Sequence, residues 1–295
     1  MSSTTEAHVA LPESATVLAS GIGFTEGPMV LDDRYLLVAS VSRGTAVRLP
    51  LDSSQPSVEF ETGGGPNGLA LGPDGLVLVA QNGGTAMPSR STVPARPSIQ
   101  THQYGVLGTF AAPELNYPSD CVWGPDDTLW FTDPADHNIL GPAAPGAVRT
   151  FNPRTGAFRT AGDRYQFPNG IAFGEDPSLV YLAQTAAGVV TRHRLVDGRL
   201  EPDSWTARPS HGRPDGIALD SRGWLWVAGA TGDDLTAFDT SGRQVERLVL
   251  GHGVLVTSLC FAGPGLNTLV VTIAKGGTVI ALPALHPGLP LPIWR

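Results

Sequence analysis

The chain has 295 residues, 41% of them apolar, with 27 acidic against 19 basic side chains and a formal net charge of −8. That balance, with no basic run, argues against nucleic acid or an anionic membrane as partner, and no apolar stretch approaches the ~18 residues of a membrane span. The 36 Gly and 26 Pro accompany alternating apolar runs, which fits many tight turns between short strands and not disorder.

In chain order, residues 1–13 read as a flexible lead-in to a single domain over 1–295. They have neither a basic n-region nor an apolar h-region, so a cytoplasmic protein without a signal peptide is expected. The segment ATVLASG (15–21) is strand-like and stands alone. From Glu26 onward a unit recurs: a polar residue, usually Gly, an apolar run, a turn and a second apolar strand. Its copies begin at Glu26, Asn67, Ser119, Asn169, Asp215 and Thr257, at spacings of 41, 52, 50, 46 and 42 residues. A period of about 40–50 residues with several strands per unit marks propeller blades. The fold expected is therefore all-β, a six-bladed β-propeller.

Most copies continue into an outer strand pair, as in TAVRLPLD (45–52), GAVRTFNPRTGAFRTAG (146–162), GVVTRHRLVDGRLEP (188–202) and DLTAFDTSGRQVERLVL (234–250). Two long segments, 81–104 and 133–145, follow second strands and are expected as lids at one mouth of the ring. The first carries His102, and the shorter 206–214 brings His211 to the same face. The last copy runs out after TVIALPAL (278–285) into proline-rich PGLPLPIWR. Residues 15–21 are expected to supply its missing outer strand and so close the ring. Cys121 and Cys260 fall on blades across the ring and read as buried, unpaired thiols.

The first residue of each copy should sit at one height on one face. Those six, Glu26, Asn67, Ser119, Asn169, Asp215 and Thr257, all carry oxygen and none is basic. Separately, each could merely satisfy turn amides. Together they read as a hard-cation site in which Glu26, Asn169 and Asp215 give three oxygen donors and water or substrate the rest. The absence of Cys and His from the ring argues against structural zinc. Asn67, Ser119 and Thr257 would hold substrate or water, or only line the channel. Asp120 follows Ser119, so simple alternation turns it off the axis; it, His102 and His211 are kept as candidate substrate contacts.

The segments EGP (26–28), LWFTDP (129–134), PNGIAF (168–173), PDGIALDSRGWLWVA (214–228) and TSLCFAGPGLNTLVVT (257–272) resemble the senescence-marker-protein/gluconolactonase family, which includes regucalcin-like lactonases. The resemblance implies a six-bladed propeller with one divalent metal in the central tunnel, held by Glu26, Asn169 and Asp215. Calcium is the first choice of ion, with zinc, manganese or magnesium as alternatives. Departures lie in the pocket. Ser119-Asp120 stands where relatives usually carry Asn-Asp, Val30 where Trp is common, and Gln184-Thr185 where an acid precedes Thr. The expected activity is hydrolysis of a lactone or related ester, with Asp215 as metal ligand and as base or nucleophile. Two readings compete: a lyase, cyclase or isomerase using the same metal, and a binding propeller without turnover. The expected partner is a small-molecule substrate; oligomeric state is not legible.

Overall fold

The computed structural model describes residues 8–291, in which six four-stranded antiparallel sheets follow one another around a ring. Blade 1 holds Thr25–Val30, Tyr35–Ser40, Thr45–Pro50 and Ser57–Glu61, counted from the axis outward. Blades 2 to 5 repeat this order, with inner strands Pro66–Leu71, Cys121–Trp123, Pro168–Phe173 and Pro214–Leu219. Blade 6 runs Val256–Ala262, Thr268–Ile273 and Thr278–Pro283, and its outermost strand is Thr16–Ala19 from the other end of the chain. The ring is thus joined through backbone hydrogen bonds between its first and last segments, and two sheet edges disappear.

Period-2 alternation explains why the blades stack. On the second strand of blade 1, Leu36 and Val38 face blade 6, while Leu37 and Ala39 face blade 2. Every blade is apolar on both faces, and the buried residues form six clusters, one between each neighbouring pair of blades. Trp130, Phe131 and Phe151 of blade 3 are fully buried this way.

In four blades a glycine follows the ring residue (Gly27, Gly68, Gly170 and Gly216) and sets the width of the tunnel. A Cβ on Gly27 would lie 2.3 Å from the Asn67 carbonyl oxygen, and one on Gly170 would lie 2.3 Å from that of Asp215. The Gly68 N–H donates to Ser119 O at 2.7 Å. Inner strands therefore touch backbone to backbone, a contact only glycine allows. Blade 3 has Asp120 at this phase and blade 6 has Ser258.

The segment 81–104, expected as one loop, contains the third strand of blade 2, Pro97–Gln103. Of the lead-in expected to be flexible, residues 1–7 lie outside the described residues, whereas His8–Val9 pairs with Gly251–His252 and the Ala10 N–H donates to Leu250 O. At the other end, Leu289 and Leu291 pack against the blade 4–5 and blade 3–4 clusters. The Leu289 N–H donates to Leu219 O, so this segment crosses the face opposite the ring residues. Cys121 and Cys260 are both unpaired. No helix among the described residues is long and apolar enough to cross a membrane.

Candidate functional site

Inner strands of five blades begin with an irregularity, and that of blade 3 starts only at Cys121. The pairing register slips between Glu26 and Met29, Pro66 and Leu69, Pro168 and Ile171, and Pro214 and Ile217. A bulge re-aims side chains at a strand start, and in these blades it lies at the residue that faces the axis. All six ring residues line a single cavity of about 220 Å3 at one mouth of the tunnel.

The floor of that cavity is rich in oxygen and poor in partners. Glu26, Ser119, Asn169, Asp215 and Thr257 are buried. Ser119 Oγ donates to Asn169 Oδ1 at 3.3 Å, and Asn169 Nδ2 donates to Thr185 Oγ1 at 3.3 Å. Thr185 in turn donates to Pro214 O at 2.8 Å, which ties blade 4 to blade 5. Thr257 is used internally, donating to Thr25 O at 2.8 Å. Glu26 Oε2 accepts only a long bond, 3.3 Å, from its neighbour's N–H. Asp215 Oδ1 is buried with no hydrogen-bond partner.

Such carboxyls resist ionisation. Burial raises Glu26 well above the usual carboxylate range, and the nearby charges of Asp215 and then Asp120 raise it further. Burial also raises Asp215, with Asp120 adding to it and the Asn169 amide opposing. Asp120 is pushed up to about 7 by burial, against backbone N–H donors from Cys121 and Ile171. No Lys or Arg lines the cavity, so nothing among the lining residues neutralises these acids.

The donor chemistry fits a hard divalent cation. Glu26 and Asp215 provide charge, Asn169 a neutral oxygen, and Asp215 Oδ1 a buried acceptor without a proton donor; an ion there removes the cost of burying two like charges. Among the described residues no group of three His, Cys, Asp or Glu side chains is arranged to hold a metal, so the set is one of mixed carboxylate and amide.

The other expected contacts are placed differently. Asp120 occupies the glycine phase of blade 3 and lines the tunnel below the ring, where alternation alone had turned it off the axis. Its Oδ1 accepts from the Cys121 N–H at 2.8 Å, and it lines a second cavity below the ring. His102 does not reach the mouth: it sits in a strand opposite Val77, at the far end of blade 2, and stacks on Phe60 at 3.9 Å. His211 is exposed, pairs with Ser210 Oγ at 3.0 Å and does not line the cavity. The corrections have different causes: the strand Pro97–Gln103 carries His102 away from the mouth to the far end, whereas placement along the chain does not give the direction of the exposed His211 side chain.

The walls hold residues that the repeat did not single out. Tyr117 and His137 pack on one side, their ring centroids 4.1 Å apart and their planes tilted by 53°. Asp133 fixes that side, with Oδ1 accepting from the N–H groups of Asn116 (3.0 Å) and Tyr117 (2.8 Å) and Oδ2 from Arg149 Nε (2.7 Å). Ala86 and Met87 enter from the loop within 81–104, and Pro134, His137 and Ile139 from 133–145. Both segments expected as lids therefore contribute to the cavity. Below the ring lies a separate cavity of about 120 Å3 with mainly apolar lining, including Met29, Trp123, Phe173 and Leu289.

Fold and site together define a six-bladed propeller with an oxygen-floored well on its axis. The chain belongs to the SMP-30/Gluconolactonase/LRE-like family, whose pattern it matches over residues 24–275. A pentonolactonase from Haloferax volcanii is 31% identical over 154 residues, 49% of this chain and 52% of the relative. A lactonohydrolase from Aspergillus oryzae is 26% identical over 270 residues, 77% and 59% of the two chains. The chain thus spans little more than half the length of these two. A gluconolactonase from Zymomonas mobilis is 22% identical over 86% of this chain and 77% of its own. Among solved structures, one described as a putative gluconolactonase superposes with a TM-score of 0.76 at 22% identity, covering 97% of this chain and all of its own (100%). A calcium-binding protein, regucalcin, from Agrobacterium tumefaciens gives 0.74 at 20%, covering 98% and 97%. At these identities the structures establish the fold.

Proposed function

We propose that the protein is a metal-dependent hydrolase that opens a lactone, or a related ester, in the upper well. The observation that carries this reading is Asp215 Oδ1, a buried carboxylate oxygen without a partner on the floor of an accessible cavity, beside Glu26. The lactonase names of the relatives supply the bond type.

Glu26, Asn169 and Asp215 would hold one divalent ion, calcium being favoured by the all-oxygen donor set. When bound, the ion supplies Lewis-acid polarisation of the substrate carbonyl and offsets the negative charge that develops there. The remaining chemistry belongs to the chain. Asp215 accepts a proton from water as the water oxygen bonds to the carbonyl carbon. The ring C–O bond then breaks, and the same proton passes to the departing ring oxygen, giving a hydroxy acid. Asn67 and Ser119 orient the substrate from the floor, and the packed walls limit bulk water.

The test is turnover of a lactone panel by protein reconstituted with Ca2+, Mg2+, Mn2+ or Zn2+, against the same protein with chelator. Metal-restored hydrolysis is expected. Hydrolysis that survives full metal removal, or none with any ion, would sink the proposal. A lyase or isomerase outcome would appear as an isomeric or unsaturated product with no uptake of water.

A further inference from the structure

The residue two places before each ring residue forms a second ring above the first: Phe24, Gly65, Tyr117, Phe167, Arg213 and Leu255. Phe24, Tyr117, Phe167 and Leu255 line the well. The two exceptions are covered from the loops. Met87 lines the well from the loop of blade 2, the blade of Gly65. Arg213 turns away, donating to Ala186 O at 2.9 Å and to Leu140 O at 3.4 Å, and so holds the loop whose Ile139 also lines the well.

This collar is apolar and held in place. Phe167 and Leu255 sit at φ 53° and 59°, a region that penalises any side chain. Asp233 fixes the second of them, its Oδ1 accepting from the N–H groups of Val254 (2.7 Å) and Leu255 (3.0 Å). Polar groups near the collar are few: Asn82 Oδ1 accepts from the Gly84 N–H at 2.9 Å and Thr185 donates to Pro214 O, while the Asn82 amide nitrogen, the Tyr117 hydroxyl and the His137 ring stand on the blade 2–3 side. The densest group of oxygen-bearing side chains is the floor, where one ester group suffices to engage it, and the Phe24, Phe167 and Leu255 side of the wall is wholly apolar.

Resting on the lactonase reading, we propose that the substrate is a lactone bearing an apolar alkyl or aryl substituent, with the ester on the floor and the substituent in the collar, and not a polyhydroxylated sugar lactone. A sugar lactone would place several hydroxyls against Phe24, Met87, Phe167 and Leu255, where they lose water and find few partners. Each methylene buried against such a wall is worth about fourfold in binding. A pentyl chain could therefore favour its lactone by up to roughly 1,000-fold when fully buried, and by about tenfold when only its first two carbons are.

The experiment has a kinetic arm and a binding arm, both on metal-loaded protein. The first compares kcat/KM for δ-decalactone and glucono-δ-lactone. The second measures calorimetric affinity for the corresponding hydrolysis-resistant lactams. Met87→Asn and Leu255→Gly are the variants; the latter removes a collar side chain while relaxing a left-handed residue, so it should remain folded. Expected are at least tenfold tighter binding of the alkyl lactam, a kinetic preference of the same sign, and loss of most of both in either variant. Tighter alkyl-lactam binding without turnover of any lactone would overturn the hydrolase reading but uphold the apolar ligand class. Preference for the sugar compounds in either arm, or an alkyl preference untouched by both substitutions, would overturn the inference while leaving a lactonase intact. Binding of neither lactam would overturn it as well.

Discussion

Asp215→Asn exchanges a carboxylate for an amide of nearly the same shape, so the fold should persist. The amide cannot take a proton from water and brings no charge to a cation. Activity on any lactone that the protein hydrolyses should fall by about 10²–10⁴-fold, with a parallel loss of metal affinity read by calorimetry. Full activity in this variant would remove Asp215 from the mechanism. Ser119→Asn differs in kind. The hydroxyl rests on Asn169 Oδ1 at 3.3 Å, and a longer amide would reach further over the floor, so it should change the ratio of kcat/KM between two lactones more than it changes metal affinity. An unchanged ratio would mean that Ser119 does not meet substrate. At this scale the ring was legible because one phase of one repeat aims six side chains at one point. Tyr117, Phe167 and Leu255 shared that legibility, two residues earlier in each copy, but apolar residues at a strand start look like ordinary core. His137 and Met87 carried no such signal, because loops have no period.

An inner strand is defined by what lies beside it. Gly170 closes onto the Asp215 carbonyl, and a backbone oxygen there cannot swing aside as a side chain can. Gly170→Ala should destabilise the protein by roughly 1–3 kcal/mol through overpacking and weaken metal binding, since the residue displaced is Asp215. A thermal-shift series with and without Ca2+ reads both effects; an unchanged melting temperature would show that blades 4 and 5 can separate freely. Most elements could be read from alternation and turn residues. Pro97–Gln103 could not. Its Ser98 and Gln100 are buried polar residues, with Gln100 Nε2 donating to Thr62 O at 2.9 Å, so a strand inside the protein carried the composition of a loop.

For the whole molecule, the axis is a store of unfavourable charge. Glu26, Asp120 and Asp215 all have folded pKa values above their unfolded ones. Their contribution to stability is fully present below the unfolded value near 4 and is lost as pH rises through the folded value, about 7 for Asp120. Chelated protein should therefore melt at progressively lower temperature between pH 5 and pH 8. Calcium should raise the melting point more at pH 8 than at pH 5, because protons and metal compete for the same oxygens. Greatest stability of the chelated form at pH 8, with an equal calcium effect throughout, would contradict this. Closure belongs to the same scale. Removing residues 1–20 deletes Thr16–Ala19 and bares the edge of Thr278–Pro283, so the truncated chain should aggregate on size-exclusion chromatography. A monodisperse truncated protein with an unchanged melting point would show that the ring does not depend on that strand.

The C-terminal crossing at Leu289–Leu291 also sets the traffic of the proposed reaction. With only a small, mainly apolar cavity and the C-terminal crossing at the far end of the axis, a newly formed hydroxy acid, which carries a charge, would find no favourable exit downward and would leave by the door through which the next lactone arrives. Turnover is then a one-lane exchange. Accumulated product should act as a competitive inhibitor, raising the apparent KM without lowering kcat.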